Sequence, residues 1–320
     1  MSIFTFIAFL AAARGLSHYS LDPRSVAVFP HYQSPFTQGL FVLSSESPAG
    51  GKASVGRCLT GCLESLSGES LSRGKPRTSV CYVECLRSHS LCLYESVGGY
   101  GTSEFRVIRD FEEGVPESRL SFPSTVFGEG SDLVHSNETH HHFLMGTWRS
   151  KVIYLLSQSR EGGPVSLERT IKMRQHRELW GVAADSLSQR VWITTGESEV
   201  YTYRAGDFLK DENPIPINVV TLRCDGQPIK RVNELDYDKS TGTLWANVWF
   251  SSLLYQFDPD SGKCLAKLDV EDSDPRIKKI AKANQSNINS VWNGIATLGD
   301  RWLIFTGKLF PYIFIARYTL

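Results

Sequence analysis

The sequence has no excess of charge of either sign and almost no long hydrophobic run. Its 320 residues include 34 Lys and Arg and 34 Asp and Glu. This balance provides no basic footprint for nucleic acid or for an anionic membrane. After the first fifteen residues, no segment reaches the ~20 apolar residues of a membrane helix. We therefore expect the mature chain to bind neither nucleic acid nor membrane.

Methionine is also scarce, and long helix-forming runs of Ala, Glu, Lys and Leu are absent. The chain has 3 Met against 7 Trp, 12 Tyr and 17 Phe. Aromatic residues favour strands and aromatic-lined pockets over helix bundles. With 41% hydrophobic and 21% charged residues, the composition is that of a globular protein and excludes a disordered or collagen-like chain.

An apolar run, Ile3 to Ala13, is too short to cross a bilayer and ends in small residues. Ala11 and Ala13 have the spacing of a secretory cleavage site, so we predict a signal peptide over residues 1–15. The alternative is a buried first strand. A signal peptide predicts a protein that is secreted or lumenal in the secretory pathway, and we expect residues 16–320 to form a single domain.

The cysteines agree with such a compartment. Two of the seven, Cys224 and Cys264, stand apart, and the others fall in one window: Cys58, Cys62, Cys81, Cys85 and Cys92. Clustered cysteines in a secreted chain predict disulfides, and five implies a distant partner or a free thiol. Zinc is the alternative, but the C-x3-C pairs have no companion His at finger spacing. Asn137 and Asn284 begin N-glycosylation sequons.

The chain repeats three short strands five times. The first strands are FTQGLF from Phe36, FGEGSDL from Phe127, LWGVAAD from Leu179, NELDYD from Asn233 and WNGIATL from Trp292. The second strands end in a polar or aromatic residue near Gly, as in LMGTW from Leu144. The third begin at residues 105, 152, 200, 254 and 313. Five units of roughly 50 residues predict an all-β, five-bladed β-propeller. Stacked sandwiches do not explain the repeated positions.

One interval between repeats is too long. Gly39 and Gly130 are 91 residues apart, whereas Gly130 and Gly181 are 51 apart. The extra residues coincide with a segment rich in Ser, Gly and Cys, so we predict an insertion over residues 44–90 in the first blade. It is too small for a core of its own, and its cysteines are expected to cross-link it.

Equivalent strand ends of a propeller meet on one face, near the axis. The side chains expected there are Phe36, Gln38, Glu95, Trp148, Trp180, Asn233, Trp249, Asn293 and Lys308. One carboxylate, one ammonium, several amides and many aromatic rings suit a small polar group on an apolar stem. The alternative is that the tryptophans pack between blades and the amides cap turns.

A histidine run, His140 to His142, suggests a metal site, with His135 nearby. Adjacent residues of a strand point to opposite faces, so three in a row do not converge on one ion. We therefore interpret the run as a solvated loop, and we predict neither a metal ion nor a cofactor.

Several motifs together resemble the plant and bacterial class of glutaminyl-peptide cyclotransferases, the glutaminyl cyclases. They occur in the same order, over residues 36 to 317 apart from the insertion. They are FTQGL at Phe36, YES at Tyr94, NEL at Asn233, WANVW at Trp245, NGIA at Asn293 and TGK at Thr306. The family is a five-bladed propeller, which agrees with the count of repeats.

The resemblance implies that an N-terminal glutaminyl residue of a peptide or protein is converted to pyroglutamate, with release of ammonia. It assigns the general acid/base to Glu95 and the developing negative charge to Lys308. Amide oxygen and amine would be held by Lys308, Asn233 and Gln38. The glutaminyl stem would be clamped by aromatic residues: Phe36, Trp148, Trp180 and Trp249.

The chain departs from the family pattern near the site. After the Glu-Ser pair it reads Val97 to Gly101 where Thr-Gly-Leu-Tyr-Gly is usual, and Phe310 stands where Trp is common. Two alternatives follow: an inactive propeller of the same descent that only binds peptides, and a metal-dependent lactonase-like hydrolase. The latter needs several acidic ligands, usually from six blades. We expect a monomer.

Overall fold

The computed structural model describes residues 16–44, 51–66, 77–210 and 213–320. The predicted signal peptide lies outside the described residues. Among the described residues, no helix is both long enough and apolar enough to cross a membrane.

Two strands at the beginning of the described chain precede the repeats, and five four-stranded blades follow. These two are β1 (Ser17–Leu21) and β2 (Ala27–Pro30). The first blade comprises β3 (Thr37–Leu43), β4 (Cys92–Val97), β5 (Glu104–Ile108) and β6 (Ser118–Ser121), with helices α1 (Gly51–Leu66) and α2 (Arg77–Ser88) inserted between β3 and β4. The second comprises β7 (Gly128–Ser136), β8 (His140–Thr147), β9 (Val152–Ser159) and β10 (Ser166–Lys172).

The third blade comprises β11 (Val182–Asp185), β12 (Arg190–Thr194), β13 (Glu199–Arg204) and β14 (Asn218–Thr221), with α3 (Ala205–Lys210) before the last strand. A small hairpin follows, β15 (Arg223–Cys224) and β16 (Gln227–Pro228). The fourth blade comprises β17 (Val232–Asp238), β18 (Thr243–Val248), β19 (Leu253–Phe257) and β20 (Cys264–Asp269). Helices α4 (Val270–Ser273) and α5 (Pro275–Asn284) lead to β21 (Trp292–Gly299), β22 (Trp302–Gly307) and β23 (Tyr312–Thr319).

The blades form a closed ring. Within each blade the strands pair antiparallel in chain order, and the first strands of successive blades contact one another. The fifth of these, β21, contacts the first, β3. The five-bladed propeller predicted from the repeats is confirmed.

The two strands before the repeats complete the ring. β2 pairs antiparallel with β23 and supplies the fourth strand of the fifth blade. β1 pairs parallel with β20 and antiparallel with β23, so it joins the fourth and fifth blades. Strands from both ends of the described chain therefore hold the ring together.

The first strands approach so closely at the axis that two glycines are required there. A Cβ at Gly181 would lie 2.0 Å from the carbonyl oxygen of Asn233, and one at Gly130 would lie 2.4 Å from Oε2 of Glu234. Because backbone and carboxylate atoms already fill this space, any side chain would force the blades apart.

Buried carboxylates link the first strands of different blades. Asp132 accepts a hydrogen bond from the amide of Ala184 (2.6 Å), which joins the second blade to the third. Asp236 accepts one from the amide of Thr297 (2.7 Å), which joins the fourth to the fifth. Burial and the charge of Asp236 raise the pKa of Asp132 to about 7. The hydrogen bonds from Ala184 and Thr297 compensate only in part for the lost hydration of the two carboxyl groups.

Glu234 reaches across the axis to the first blade. Its Oε1 accepts a hydrogen bond from the amide of Leu40 (3.1 Å), whereas Oε2 has no partner among the described residues. Burial raises the pKa of Glu234 well above its usual range, and repulsion by Asp132, Asp236 and Glu129 adds to this. The side chain therefore favours the protonated form in the folded protein.

The predicted cross-linked insertion is confirmed, and it is helical. Disulfides join Cys58 to Cys85 and Cys62 to Cys81 between α1 and α2. The helices pack on the first and fifth blades, and Nζ of Lys52 on α1 lies 3.6 Å from Oδ1 of Asp236. Because the insertion follows the end of β3, it covers the end of the axis opposite the beginning of the first strands.

The three remaining cysteines form one disulfide and one free thiol. Cys224 pairs with Cys264, and Cys92 is buried and forms no disulfide.

The expectation that the histidine run is a loop was wrong. His140–His142 begin β8, which pairs with β7, and Nδ1 of His142 lies 3.2 Å from Oε2 of Glu168.

The substitution Glu234→Gln tests the buried acid on the axis. Because the folded state holds a proton that the unfolded chain releases above pH ~4.3, the wild-type protein loses stability as pH rises above that value. Gln keeps an acceptor for Leu40 without that loss. We expect the melting temperature of the variant to exceed that of the wild type by roughly 2–4 °C at pH 8 and the difference to shrink toward pH 4.5. A difference independent of pH, measured by calorimetry, would contradict this account.

Candidate active site

A cavity of about 350 Å³ opens at the end of the axis where the first strands begin. We call it the axial cavity. It is lined by Phe36, Gln38, Phe127, Glu129, Trp148, Trp180, Asn233, Trp249, Asn289 and Lys308. Because neighbouring strands are antiparallel, the starts of first strands and the ends of second strands meet there. Seven of the nine side chains expected at the axis line this cavity, and Glu95 and Asn293 do not.

Aromatic rings form the walls. Trp180 meets Trp249 edge to face, with centroids 5.8 Å apart. Phe127 packs against Phe36 at 5.8 Å and against Trp148 at 5.5 Å. Rings held by one another in this way leave a rigid apolar slot that suits a short aliphatic stem.

Amide groups form part of the floor. Nδ2 of Asn293 donates to Oε1 of Gln38 (3.2 Å) and to the carbonyl oxygens of Thr37 and Gln38 (both 3.1 Å). These contacts fix the orientation of the Gln38 side chain. Asn293, which was expected at the axis, therefore supports the cavity from behind.

Asn233 is presented from the first strand of the fourth blade. Its carbonyl oxygen accepts a hydrogen bond from Oγ1 of Thr194 (2.7 Å), which in turn accepts one from the amide of Gly181 (2.7 Å). Its side-chain Oδ1 is buried and has no partner among the described residues. A buried polar atom without a partner beside a cavity is a candidate to contact a ligand.

Lys308 and Glu129 bring an amine and a carboxyl group to the axial cavity. Nζ of Lys308 lies 5.1 Å from the ring centroid of Phe36, and its amide donates to the carbonyl oxygen of Val291 (2.8 Å). Burial lowers the pKa of Lys308, although Glu129 and Glu234 oppose this. Burial raises the pKa of Glu129 well above its usual range, and Lys308 opposes that. The cavity thus holds an acid and an amine whose pKa values have moved toward each other.

The structure places Glu95 elsewhere, which corrects the sequence prediction. Its Oε1 accepts a hydrogen bond from Oγ1 of Thr37 (2.6 Å) and lies 3.0 Å from Nε2 of His31, and its Oε2 is 3.8 Å from Arg106. Burial alone would raise the pKa of Glu95, but His31, Arg106 and Thr37 outweigh burial and lower it. Glu95 is on the second strand of its blade, and its carboxylate is enclosed by these groups instead of lining the cavity.

The carboxylate that does line the cavity, Glu129, was in the sequence pattern but was overlooked. Phe36 and Gln38 are followed by Gly39 in the first repeat, and Phe127 and Glu129 are followed by Gly130 in the second. Phe36 packs on Phe127 in the structure. Aligning these two first strands would have placed Glu129 beside Gln38.

The sequence profile of the glutamine cyclotransferase family matches residues 67–317, most of the chain. The chain belongs to the glutamine cyclotransferase family. The resemblance found in the sequence motifs is thereby confirmed at the level of the family. Phe36 and Gln38 precede the matched range, so their assignment to the candidate site rests on the geometry of the axial cavity.

A known structure supports the fold of this family member. Myxococcus xanthus glutaminyl cyclase superposes with a TM-score of 0.61 at 20% sequence identity, over 94% of this chain and 96% of that one. The WD40 propeller domain of Doa1 gives a TM-score of 0.39 at 9% identity over 70% and 60%, too low to support an argument. A comparison with curated proteins found no match.

The substitution Glu95→Gln tests the structural role of this carboxylate. It leaves His31 and Arg106 beside a neutral group, and breaking a buried charge pair costs about 3–5 kcal/mol. We expect a loss of that order in the free energy of unfolding at pH 7, measured by denaturant titration. Because the pKa of Glu95 is lowered by folding, the loss should shrink below pH ~4 as the wild-type carboxylate takes up a proton.

Glu117→Gln is the matched control, since Glu117 forms an exposed ion pair with Arg109 (2.6 Å). It should cost less than about 1 kcal/mol. Equal losses of unfolding free energy in the two variants would show that the contacts of Glu95 stabilise the fold no more than an exposed ion pair does.

Proposed function

We propose that this cyclotransferase closes the N-terminal glutaminyl residue of peptides or proteins to pyroglutamate and releases ammonia. Membership of the family supports glutaminyl cyclase activity. The observation that carries the proposal is one aromatic-walled cavity lined by a buried carboxyl, a buried ammonium and an amide with a free oxygen.

The reaction exchanges one bond for another at the side-chain amide carbon. The neutral α-amine attacks that carbon, so a new C–N bond forms and the amide oxygen gains negative charge. The bond to the amide nitrogen then breaks. One proton must leave the attacking nitrogen and one must reach the departing nitrogen, which leaves as ammonia. The site therefore needs a proton carrier and a group that stabilises an oxyanion.

Glu129 is the proton carrier in this proposal, in place of Glu95. Its carboxyl lines the axial cavity, and burial raises its pKa well above the usual range. A raised pKa makes the carboxylate form of Glu129 a stronger base, so it accepts a proton from the attacking amine, and the resulting carboxylic acid gives a proton to the leaving nitrogen. Glu95, enclosed by His31, Thr37 and Arg106, has no comparable access.

Lys308 stabilises the developing oxyanion in this proposal, and Asn233 accepts a hydrogen bond from the amine. The Lys308 ammonium is buried, so its attraction for a negative charge is less screened than in water. The free Oδ1 of Asn233 is an acceptor suited to the N–H of the substrate amine. Gln38, fixed by Asn293, adds an oriented amide beside them.

The aromatic walls hold the substrate in a reactive bend. Trp180 and Trp249 meet edge to face, and Phe36, Phe127 and Trp148 form the opposite cluster. A slot between them forces the flexible glutaminyl stem to fold its amine toward its own amide. Because the bound peptide is already oriented in this way, it loses less entropy on reaching the transition state than the free peptide does.

The disulfides support the compartment proposed from the sequence. Three cystine pairs form in the described chain, and such pairs persist in oxidising surroundings. We therefore place the protein in the secretory pathway or outside the cell. There, as a monomer, it would meet peptides and proteins with N-terminal Gln.

Incubation with a peptide that begins with Gln tests the activity, and Glu129→Gln tests the proton carrier. Mass spectrometry should show loss of one ammonia from the peptide with the wild-type protein. The variant keeps the shape of the side chain but cannot carry the proton, so kcat should fall by about 10²–10⁴-fold.

Glu95→Gln is the matched comparison, a second buried Glu changed in the same way. Its folded fraction should keep far more activity than Glu129→Gln. The reverse order would return the catalytic role to Glu95. Peptide binding by the wild-type protein without any change of mass would instead favour the inactive, peptide-binding propeller.

A second variant, Lys308→Met, tests stabilisation of the oxyanion. The negative charge exists only during the reaction, so losing the ammonium should lower kcat by about 10²–10³-fold and change KM little. Steady-state kinetics separates the two constants. A higher KM with unchanged kcat would show that Lys308 only binds the substrate.

A further inference from the structure

A second cavity, of about 150 Å³, lies beside the axial cavity. We call it the side cavity. Its wall includes Phe250, which stacks on Trp249 of the axial cavity with centroids 4.4 Å apart. Ser290 of the side cavity follows Asn289 of the axial cavity directly in the chain. The two cavities are therefore neighbours that share a wall.

The side cavity combines aromatic rings with a fixed carboxylate. Trp292 and Phe310 pack together with centroids 4.5 Å apart, and Phe250 lies at the rim. Nε1 of Trp292 donates to Oε1 of Glu271 (2.8 Å), which holds the carboxylate against this wall. Oγ of Ser290 is buried there without a partner among the described residues.

The charge at the side cavity is negative. In the part of the chain that the structure describes, no Lys or Arg lies within 4.0 Å of the Glu271 carboxylate; the nearby Lys278 pairs with Asp272 instead, at 2.7 Å. Arg231 lies 5.9 Å from the Phe250 centroid, but it is exposed and therefore screened by water. Glu271 thus has no strong competitor for a cation that enters the cavity.

We propose that the side cavity binds the side chain of the second or third residue of the substrate and prefers Lys or Arg there. This rests on the proposed function, in which the axial cavity holds the N-terminal glutamine. The peptide must leave the axial cavity past its rim, where Trp249 and Phe250 separate the two sites. A basic side chain can lay its apolar stem on the aromatic rings and place its charge at Glu271.

Peptides that differ at one position test the preference. The set begins with Gln and carries Lys, Ala or Glu at position two or at position three. Ammonia release should give kcat/KM values in the order Lys, Ala, Glu at one of these positions, with Lys about 3–10-fold above Ala. Such a ratio is that of a partly screened ion pair.

The substitution Glu271→Gln should bring the ratio of Lys to Ala close to one. Gln keeps an oxygen acceptor for Nε1 of Trp292, so the wall should be preserved, and circular dichroism checks the fold. Glu161→Gln, the same change at an exposed residue of the turn between β9 and β10, should keep the wild-type ratio. Equal kcat/KM across the set, or a ratio that persists in Glu271→Gln, would overturn the proposal.

Binding measurements separate this proposal from the proposed function. In Glu129→Gln, calorimetry should still show tighter binding of the peptide with Lys than of the peptide with Ala, and adding Glu271→Gln should abolish the difference. Equal affinities would overturn the subsite even if the wild-type protein turns over every peptide. Absence of ammonia release from all peptides, with the Lys preference intact, would overturn only the catalytic proposal.

Discussion

The whole molecule depends on burying acidic side chains along a narrow axis. Asp132 of the second blade accepts a hydrogen bond from the third blade, and Asp236 of the fourth blade accepts one from the fifth. Glu234 crosses the axis to reach the first blade. Each carboxylate loses hydration but gains backbone N–H donors that the first strands cannot satisfy among themselves. The ring is therefore closed by polar contacts as well as by packing, and its interior is acidic.

An acidic axis explains why a lysine is found at each end of it. Lys52, from the inserted helix, lies 3.6 Å from Asp236 at the covered end. Lys308 lies in the axial cavity at the other end, where it interacts with the acidic side chains of Glu129 and Glu234. The covered end is fixed by the cross-linked insertion, whereas the cavity end leaves its ammonium beside space for a ligand. The insertion thus covers one end of the axis, and the axial cavity opens at the other.

The sequence predicted the ring well because a blade is a local pattern repeated. It could not predict β2 as the last strand of the fifth blade, since that pairing joins the beginning of the chain to its end. Nor did it predict α1, because the segment is rich in Ser and Gly, which are weak helix formers, whereas the cross-links to α2 and the packing on two blades are tertiary contacts. Glu95 was placed in the site by its motif, yet His31, which contacts its carboxylate, directly follows the strand whose pairing joins the two ends of the chain and lies far from it in sequence. Glu129 was overlooked although its repeat matched that of Gln38.

The same burial has opposite effects on the two charged groups of the axial cavity. It disfavours the charged form of each, so it raises the pKa of Glu129 and lowers that of Lys308. In the proposed reaction, a carboxylate made more basic by this burial would take the proton from the attacking α-amine. The aromatic walls that would hold the glutaminyl stem also contribute to the burial that causes these shifts. In the proposed reaction, binding and proton transfer would therefore share one cause, the apolar lining of the cavity.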